Sequence, residues 1–284
     1  MTVESASFVD DLNTSLPAGT DDRDEGDNHI RLVKTALKGT FPNADKAFYF
    51  PTTAAKSDAY SVLAADLNAM ILVSASGAAR TISLLAAATA GNGFVVGVKK
   101  TDTSINKVTI DPDGSETIDG VSSKVLTAPN HSVWIVSDGS NWHIVSEKVP
   151  LIAFAAHKGG SDQAVASSSS TKITFGSEIS DQGSRFASSS WTPYPGLVRL
   201  SAGVGYQSIT AGESTAISIQ NVGATNFKRA LTIAPGGYNI VLTGILETDG
   251  TDAFQVNTVS GDSSYTVRGD IDLTFFEGHQ IAFY

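Results

Sequence analysis

The first periodic pattern along the chain is helical. Apolar residues recur at spacings of three and four, and basic residues occupy a neighbouring stripe. The apolar set is Ile30, Val33, Leu37 and Phe41, and the basic set is Arg31, Lys34 and Lys38. An acidic run over 21–27 precedes the pattern, and Gly39 and Pro42 supply its stop. The pattern predicts one short amphipathic helix behind an irregular arm. Its apolar stripe must pack on the next domain, a sister chain or a foreign partner.

A second helical pattern covers residues 57–70. Its apolar side consists of Leu63, Leu67 and Met70. From Thr81 the period changes to two, which predicts short strands separated by Gly, Asp, Asn and Ser. The strand-like runs are TISLL, GFVVGVKK, KVTI, ETI, SVWIVS and WHIVS. The last two predict a hairpin with its turn at 138–141 and with Trp134 and Trp142 on its arms.

Residues 151–284 are predicted to form strands throughout. Their strand-like runs follow one another at roughly the 8–12 residues typical of sandwiches and barrels. They are LIAFAAH, TKITF, GLVRLSAGVGY, TAISIQNV, YNIVLTGIL, DAFQVNT and DIDLTFFE. The last run alternates most cleanly between two faces. One face would hold Ile271, Leu273 and Phe275, and the other would hold Asp270, Asp272 and Thr274. An antiparallel jelly-roll sandwich accommodates these patterns.

Composition excludes several classes of protein. The 284 residues carry a formal net charge of -10, so the chain lacks the counterion-release drive toward nucleic-acid phosphates. The absence of cysteine excludes disulfides, thiolate metal sites and a cysteine nucleophile. The first residues lack the basic and apolar regions of a Sec-type signal, and the apolar windows are too short to span a bilayer. We expect no cofactor, no nucleic-acid partner and no membrane insertion.

Three stretches resemble known families. The arm LNTSLPAGTDDRDEGDNHIRLVKTALKGTFPN resembles the N-terminal segment of many tailed-phage tail fibres and tail proteins. The stretches AARTISLLAAATAGNGFVVGVKK, VTIDPDGSETIDG and SDGSNWHIVS resemble a small β domain that follows this arm in phage and prophage fibres. The remainder resembles the complement-globular-head and tumour-necrosis-factor jelly-roll superfamily, which phage fibres also use as a tip. Its matching segments are FAAHKGGSDQ, KITFGSEISDQGSRF, SWTPYPGLVRLSAGVG, GTDAFQV and TFFEGHQIAFY.

These resemblances imply a mainly β, homotrimeric phage tail fibre in three parts. An arm with one amphipathic helix would cover 1–55, a small β shoulder domain 56–148, and an antiparallel jelly-roll head 149–284. The fibre would be made in the host cytoplasm and assembled into the virion tail. Its arm would bind tail-tip, baseplate or tail-tube proteins. The arm residues that match the signature are Pro17, Gly19, Thr20, Asp27, His29, Ile30, Arg31 and Lys34.

The head would bind a polysaccharide or an outer-membrane protein on the host surface. In the resembled fold, the segment with Trp191 and Tyr194 enters the sandwich, so we expect these two rings in the core. The candidates for receptor contact are Tyr206, Gln207, Ser208 and Tyr265. The binding loops would be 207–214 and 258–265. The alternatives are a structural virion fibre or decoration protein without receptor binding, and a polysaccharide depolymerase.

A depolymerase would need two carboxylates about 5–10 Å apart. The candidate pairs are Asp111 with Asp113, Asp249 with Asp252, and Asp270 with Asp272. The last pair would share one strand face at roughly 7 Å, although the alternation favours solvated outward positions for both. The loop DPDGSETIDG lacks calcium-ligand spacing, and no nucleophile elbow or phosphate loop is present. We therefore expect a protein that is not an enzyme.

The five histidines lack the spacing of a metal site within one chain. His157 or His279 could still meet its copies on the axis of a trimer and bind a metal ion there. We expect the simpler outcome, in which the protein binds no metal.

Overall fold

The computed structural model describes residues 5–16, 23–41, 52–207, 209–210, 212–222, 227–233, 239–262 and 264–283. The chain divides into two compact units, Met1–Phe50 and Pro51–Tyr284. No helix in the described ranges combines the length and the hydrophobicity that a bilayer span requires. The finer limits predicted for the arm, shoulder and head stay predictions.

The first unit contains the predicted amphipathic helix, α1, at Gly26–Thr40. Two 3-10 turns precede it, at Val9–Asp11 and Arg23–Glu25. The first turn packs against the helix end, where the Val9 N–H donates to Thr40 Oγ1 at 2.7 Å. The helix ends at Thr40, between the predicted stop residues Gly39 and Pro42. Gly39 also permits close packing, since a β-carbon there would clash with the Ser7 carbonyl oxygen.

Residues 52–148, which we call the shoulder, contain two β-sheets. The first has the order β1-β3-β5-β8-β9, parallel from β1 to β5 and antiparallel from β5 to β9. Its strands are β1 (Thr52–Lys56), β3 (Ala69–Val73), β5 (Val95–Lys100), β8 (Ser132–Ser137) and β9 (Trp142–Lys148). The second sheet contains β2 (Tyr60–Ser61), β4 (Arg80–Ser83), β6 (Val108–Asp111) and β7 (Lys124–Leu126). A short helix, α2 (Ala87–Ala90), follows β4.

The helix predicted over 57–70 is wrong. The structure has β2, a 3-10 turn at Ala64–Asp66 and the start of β3 in this region. Asp66 stabilises the turn, because its carboxylate accepts hydrogen bonds from the Leu63 N–H and the Tyr60 hydroxyl, both at 2.8 Å. The parallel pairing of β3 with β1 and β5 requires extended backbone from Ala69 onward. Neither determinant is visible as a helical or strand period in the sequence.

The predicted hairpin is confirmed as β8 and β9. Its turn is closed by Asp138, whose Oδ1 accepts hydrogen bonds from the backbone N–H groups of Ser140 and Asn141 at 2.7 Å. This is an Asx-type turn, in which a short polar side chain replaces a backbone acceptor. Trp142, at the start of the second arm, is fully buried in the shoulder core.

Residues 153–283 form the sandwich, an antiparallel, jelly-roll-like pair of sheets. The seven-stranded sheet has the order β11-β21-β16-β22-β10-β13, and β19 also pairs with β16. Its strands are β10 (Ala153–His157), β11 (Gln163–Ala166), β13 (Ser177–Asp181), β16 (Gly196–Gln207), β19 (Asn239–Thr248), β21 (Ser264–Val267) and β22 (Phe275–Phe283). The mainly β fold with its jelly-roll-like sandwich confirms the predicted fold class.

The facing six-stranded sheet has the order β14-β15-β20-β17-β18, with β12 paired to β20. Its strands are β12 (Thr171–Lys172), β14 (Phe186–Ala187), β15 (Ser190–Trp191), β17 (Ser214–Asn221), β18 (Phe227–Ile233) and β20 (Phe254–Ser260). Aromatic rings fill the space between the sheets, and Phe154 contacts both Trp191 and Phe276 with centroids 4.7 and 4.8 Å away. Trp191 and Tyr194 are fully buried, as predicted.

The alternating strand predicted over 270–275 is wrong. Residues 271–273 form a turn, in which the N–H groups of Leu273 and Thr274 donate to the Asp270 carbonyl oxygen. Ile271 is exposed and Thr274 is fully buried, the reverse of the predicted faces. The Thr274 hydroxyl oxygen accepts a hydrogen bond from the Gly205 N–H at 3.1 Å, and this tertiary contact fixes the direction of its side chain.

The shoulder contacts the end of the sandwich where β16 begins. The Tyr194 hydroxyl donates to the Thr103 carbonyl oxygen at 3.2 Å, and Ile105 packs against the sandwich core. The rings of His131 and Phe283 lie 6.1 Å apart, which joins the shoulder to β22. We call this contact the joint. The opposite end of the sandwich, where β16 ends and β17 begins, lies away from the shoulder.

Candidate functional site

The sandwich end away from the shoulder, which we call the distal end, contains several adjoining loops. They connect β16 to β17, β20 to β21, and β11 to β12. The Ser168 N–H donates to the Ser260 carbonyl oxygen at 2.7 Å, which holds the serine-rich loop against the end of β20. The two loops predicted to bind the receptor, 207–214 and 258–265, therefore lie at one end of the sandwich together with residues 167–170.

Buried polar contacts hold the distal loops in place. Asp262 is buried, and its Oδ2 accepts a hydrogen bond from the Thr210 N–H at 2.5 Å. The Thr215 hydroxyl donates to Ser260 Oγ at 2.9 Å, and Ile209 is buried beneath the loop. Binding groups on such a fixed scaffold lose less conformational entropy when a ligand binds. The exposed residues of these loops are mainly hydroxyl-bearing or glycine, and a polar ligand such as a sugar would meet hydrogen-bonding groups there.

The prediction that Tyr206 and Tyr265 present their rings at the surface is wrong. The two residues are 1% and 2% exposed, and their ring centroids lie 6.0 Å apart inside the sandwich. The Tyr206 hydroxyl lies 2.7 Å from Thr258 Oγ1. Tyr206 shares the core side of β16 with Ala202 and Val204, because side chains two positions apart lie on the same face of a strand.

The other two predicted receptor residues have different outcomes. Gln207 is half-buried, and its Nε2 donates to Asp162 Oδ2 at 2.5 Å, which ties the end of β16 to the loop before β11. Ser208 lies outside the described residues. Sequence reasoning missed the exposed Thr210 and the buried Asp262 that positions it. The serine run at 167–170 was visible in the sequence, but its place beside these loops depends on the pairing of β12 with β20.

A second candidate surface is the outer face of the seven-stranded sheet, which we call the outer face. Val241 and Ile245 on β19 are 57% and 56% exposed there, and Ile281 on β22 is also exposed. The Phe275 ring lies across Gly203, where any side chain would clash with it. Several exposed aliphatic residues on one face of a sheet are typical of an interaction surface rather than of an isolated surface side chain.

Charged residues occupy the middle of the outer face. Arg199 is paired across the strands with His279 on one side and Ile245 on the other. Glu277 lies one pair further along, beside Ser201 and Ala155. Among the described residues, Arg199 and Glu277 form no ion pair, although both are exposed. They border a cavity of about 350 Å³ over the small residues of β10. The face thus combines apolar groups with charges of both signs.

The arm residues expected to anchor a fibre lie in two groups. Pro17, Gly19 and Thr20 are outside the described residues. Asp27 and Arg31 form an exposed ion pair on α1, Ile30 and Lys34 are exposed, and His29 is buried. The apolar stripe of α1 is largely exposed within its unit: Ile30, Val33 and Leu37 are each more than 40% exposed. Nothing in the structure tests an anchoring role for these residues.

Two of the three candidate carboxylate pairs lie in loops, and Asp111 of the third is the last residue of β6. Asp249 Oδ1 accepts hydrogen bonds from the N–H and hydroxyl of Thr251, and Asp252 accepts one from the Asn221 side chain. These bonds hold the Asp249 pKa below its usual value. Asp270 forms an ion pair with Arg268 at 2.6 Å, and it lies in a turn, not on the strand face predicted for it with Asp272.

Metal binding finds no support within the described part of one chain, since no three His, Asp or Glu side chains there could hold an ion. His157 is half-buried on β10, and its Nδ1 accepts a hydrogen bond from the Gly159 N–H at 3.1 Å. His279 is exposed on the outer face, beside Arg199. A neighbouring guanidinium opposes cation binding at His279.

Comparison with known proteins yields similar folds only. No protein-family model matches the chain, and no curated protein matches it significantly. Among solved structures, Eiger TNF from S. frugiperda is similar at a TM-score of 0.38 and 10% identity, over 48% of this chain and 96% of that chain. Murine APRIL at pH 8.5 gives 0.37 and 11% identity, over 46% of this chain and 100% of that chain.

The globular domain of zebrafish complement 1qA gives a TM-score of 0.32 and 13% identity, over 48% of this chain and 100% of that chain. All three scores are low. The description of residues 153–283 as a jelly-roll-like sandwich therefore rests on the strand order and pairing given above.

Proposed function

We propose that the chain is a phage tail fibre that binds the host surface without catalysis. In this proposal it assembles as a homotrimer through the outer face, binds its receptor through the distal end, and attaches to tail proteins through the arm. The observation that carries the proposal is the outer face, with its exposed aliphatic residues and its exposed charges of both signs. The assignment to phage is supported by the sequence resemblance of the arm and shoulder.

The outer face suits a head-to-tail contact between copies. In a closed ring, one side of each copy faces the other side of the next, so Arg199 can meet Glu277 or Glu247 of its neighbour. Val241, Ile245 and Ile281 would be buried by the same contact, each exchanging water for apolar neighbours. Such a fibre would attach to its host multivalently: several weak binding sites together give tight adsorption, because each bound site raises the effective concentration of the others.

Light scattering of the purified chain tests the assembly. We expect a trimer for the native chain and a monomer for Ile245→Asp, because the new carboxylate would be buried without a partner in the contact. Val145→Asp is the matched control, since Val145 is equally exposed but lies on the shoulder strand β9. A monomeric native chain, or equal masses for the two variants, would contradict assembly through the outer face.

Adsorption of particles that carry variant fibres tests receptor binding. Thr210 and Val222 flank opposite ends of β17, Thr210 at the distal end and Val222 at the end near the shoulder, and both are exposed. We expect Thr210→Arg to slow adsorption to host cells at least about tenfold, as when one contact of 1.4 kcal/mol is lost. Val222→Arg should leave adsorption unchanged. Equal adsorption of both variants would instead favour a structural fibre or decoration protein.

A further inference from the structure

One side of the helix α1 is buried within its own unit, and another side is exposed. One side, with Ala36 and Gly39, lies under the N-terminal turn at Val9–Asp11, and Ala36 is fully buried. The other side presents the apolar stripe to solvent. Gly26, His29, Ile30, Val33 and Lys34 line an open cavity of about 430 Å³ along this stripe. A helix that buries one side within its own unit still exposes a second apolar side.

The spacing of the stripe is that of a coiled-coil seam. Ile30, Val33 and Leu37 follow one another at three and four residues, which places successive side chains toward a neighbouring helix. Phe8 and Val9, on the turn beside the helix end, are also exposed and enlarge the apolar surface. Such an apolar surface favours contact with another apolar surface.

The two flanks of the stripe differ in charge. At 100° per residue, Lys34 and Lys38 follow the stripe on one flank, and both are exposed. The opposite flank is covered by the N-terminal turn, whose Asp11 is exposed. The Asp11 carboxylate accepts hydrogen bonds from the N–H groups of Ser7 and Phe8 at 3.0 Å, which fix its position beside the end of the helix. Asp27, which is paired with Arg31, also lies on the lysine flank, so this flank is net basic, whereas the opposite flank carries Asp11.

We infer that the stripe of α1 is covered by α1 of other copies of this chain, in a parallel bundle of three. In such a bundle, the basic flank of each helix faces the opposite flank of the next, so Lys38 approaches the neighbour's Asp11 rather than another lysine. This inference rests on the proposed trimer, which would hold the three arms at an effective concentration of about millimolar or higher. At that concentration a short seam associates although an isolated helix of this length would not.

Single cysteines test the inference directly, because the native chain contains none. Val33→Cys places a thiol on the stripe, and Thr35→Cys places one on an exposed position of the far side of the helix. We expect a short bismaleimide reagent to link Val33→Cys into covalent dimers at least about tenfold faster than Thr35→Cys, because the seam holds the thiols of adjacent copies together. Leu37→Cys, another stripe position, should behave like Val33→Cys.

The full-length variants are measured by light scattering under the same conditions. If they are trimeric and the stripe cysteines link no faster than Thr35→Cys, the inference is wrong and the proposed fibre stands. If the chain is trimeric and the stripe cysteines link faster than Thr35→Cys, the result supports both the helix bundle and the proposed fibre. If the chain is monomeric at all concentrations tested, the inference fails together with the proposed assembly. A trimer with slow linking would leave the stripe to a partner of different sequence.

Discussion

Ser188 and Ser189 form the turn between β14 and β15, and their φ angles are +48° and +59°. Two-residue turns with positive φ favour glycine or asparagine, because a β-carbon crowds the backbone there. The two side chains differ in their contacts. Ser189 Oγ accepts a hydrogen bond from the buried Phe175 N–H at 2.9 Å, whereas the Ser188 side chain is exposed. Ser189 therefore contributes a hydrogen bond that offsets its backbone strain, whereas the side chain of Ser188 provides no such compensation in the described structure.

We expect Ser188→Gly to raise the free energy of unfolding by about 0.5–1 kcal/mol, because it removes the strain and no hydrogen bond. Ser189→Gly should lower it by about 1 kcal/mol, since the Phe175 N–H would be left buried without its acceptor. Urea unfolding of the two variants measures both changes. A rise for Ser189→Gly would show that its hydrogen bond contributes no net stability, and a fall for Ser188→Gly would contradict strain at that position.

At the scale of the element, the hairpin of β8 and β9 holds two histidines with opposite electrostatic surroundings. Burial lowers the pKa of His131 below its usual 6.5, although Nε2 lies 2.8 Å from Glu147 Oε1; Lys124, which also contacts Glu147, lowers it further. His143 is exposed, and its hydrogen bond to Asp138 raises its pKa above 6.5. The same hydrogen bond contributes to holding the Asp138 pKa at about 2.

The two histidines should therefore change stability in opposite directions. His143 contributes stability that is fully present below pH 6.5 and is lost as pH rises through its raised pKa. His131 is favoured neutral in the folded chain, so its contribution is lost as pH falls below 6.5 toward its lowered pKa. We expect imidazole proton resonances to titrate above 6.5 for His143 and below it for His131. His143→Gln assigns the signals, and the reverse order would contradict this account.

At the scale of the whole molecule, the joint couples the shoulder to the sandwich. The loop after β5 forms it, and a buried ion pair shapes this loop. Lys100 Nζ lies 2.6 Å from Asp102 Oδ1, and Asp102 Oδ2 accepts the Ala75 N–H at 2.6 Å. Burial opposes the charge of Asp102, but its hydrogen bonds to Lys100, Ser104 and Ala75 outweigh this and hold its pKa at about 2. These contacts fix the loop in a position where Ile105 packs against the sandwich core.

We expect residues 51–284 to unfold in one calorimetric transition, because the joint makes the shoulder and sandwich mutually stabilising. Ile105→Asp should split this transition into two, since a carboxylate in the joint cannot be buried without a partner. Ile179→Asp is the control, because Ile179 is exposed on β13 and outside the joint. Two transitions in the native chain would show that the joint transmits no stability.

Elements whose determinants are close in sequence were predicted well. The period of α1 and the Asp138 turn of the hairpin each depend on residues within a few positions of one another. The 57–70 region and the 270–275 region were predicted wrongly, because parallel pairing of β3 and the distant contact of Thr274 with Gly205 decide their backbones. The periodicity of hydrophobic residues within a short segment does not depend on such distant contacts, so it cannot predict them.

The sequence by itself determined the mainly β class, the amphipathic helix, the hairpin and the burial of Trp191 and Tyr194. Tertiary structure decided which face of each strand meets the core, so Tyr206 and Tyr265 became packing residues instead of surface rings. It also decided that Thr210 and the serines at 168–170 share one end of the sandwich. The physical reason is that strand register, which is set by partners as many as 126 residues away (Ala153 with His279), selects the exposed side chains.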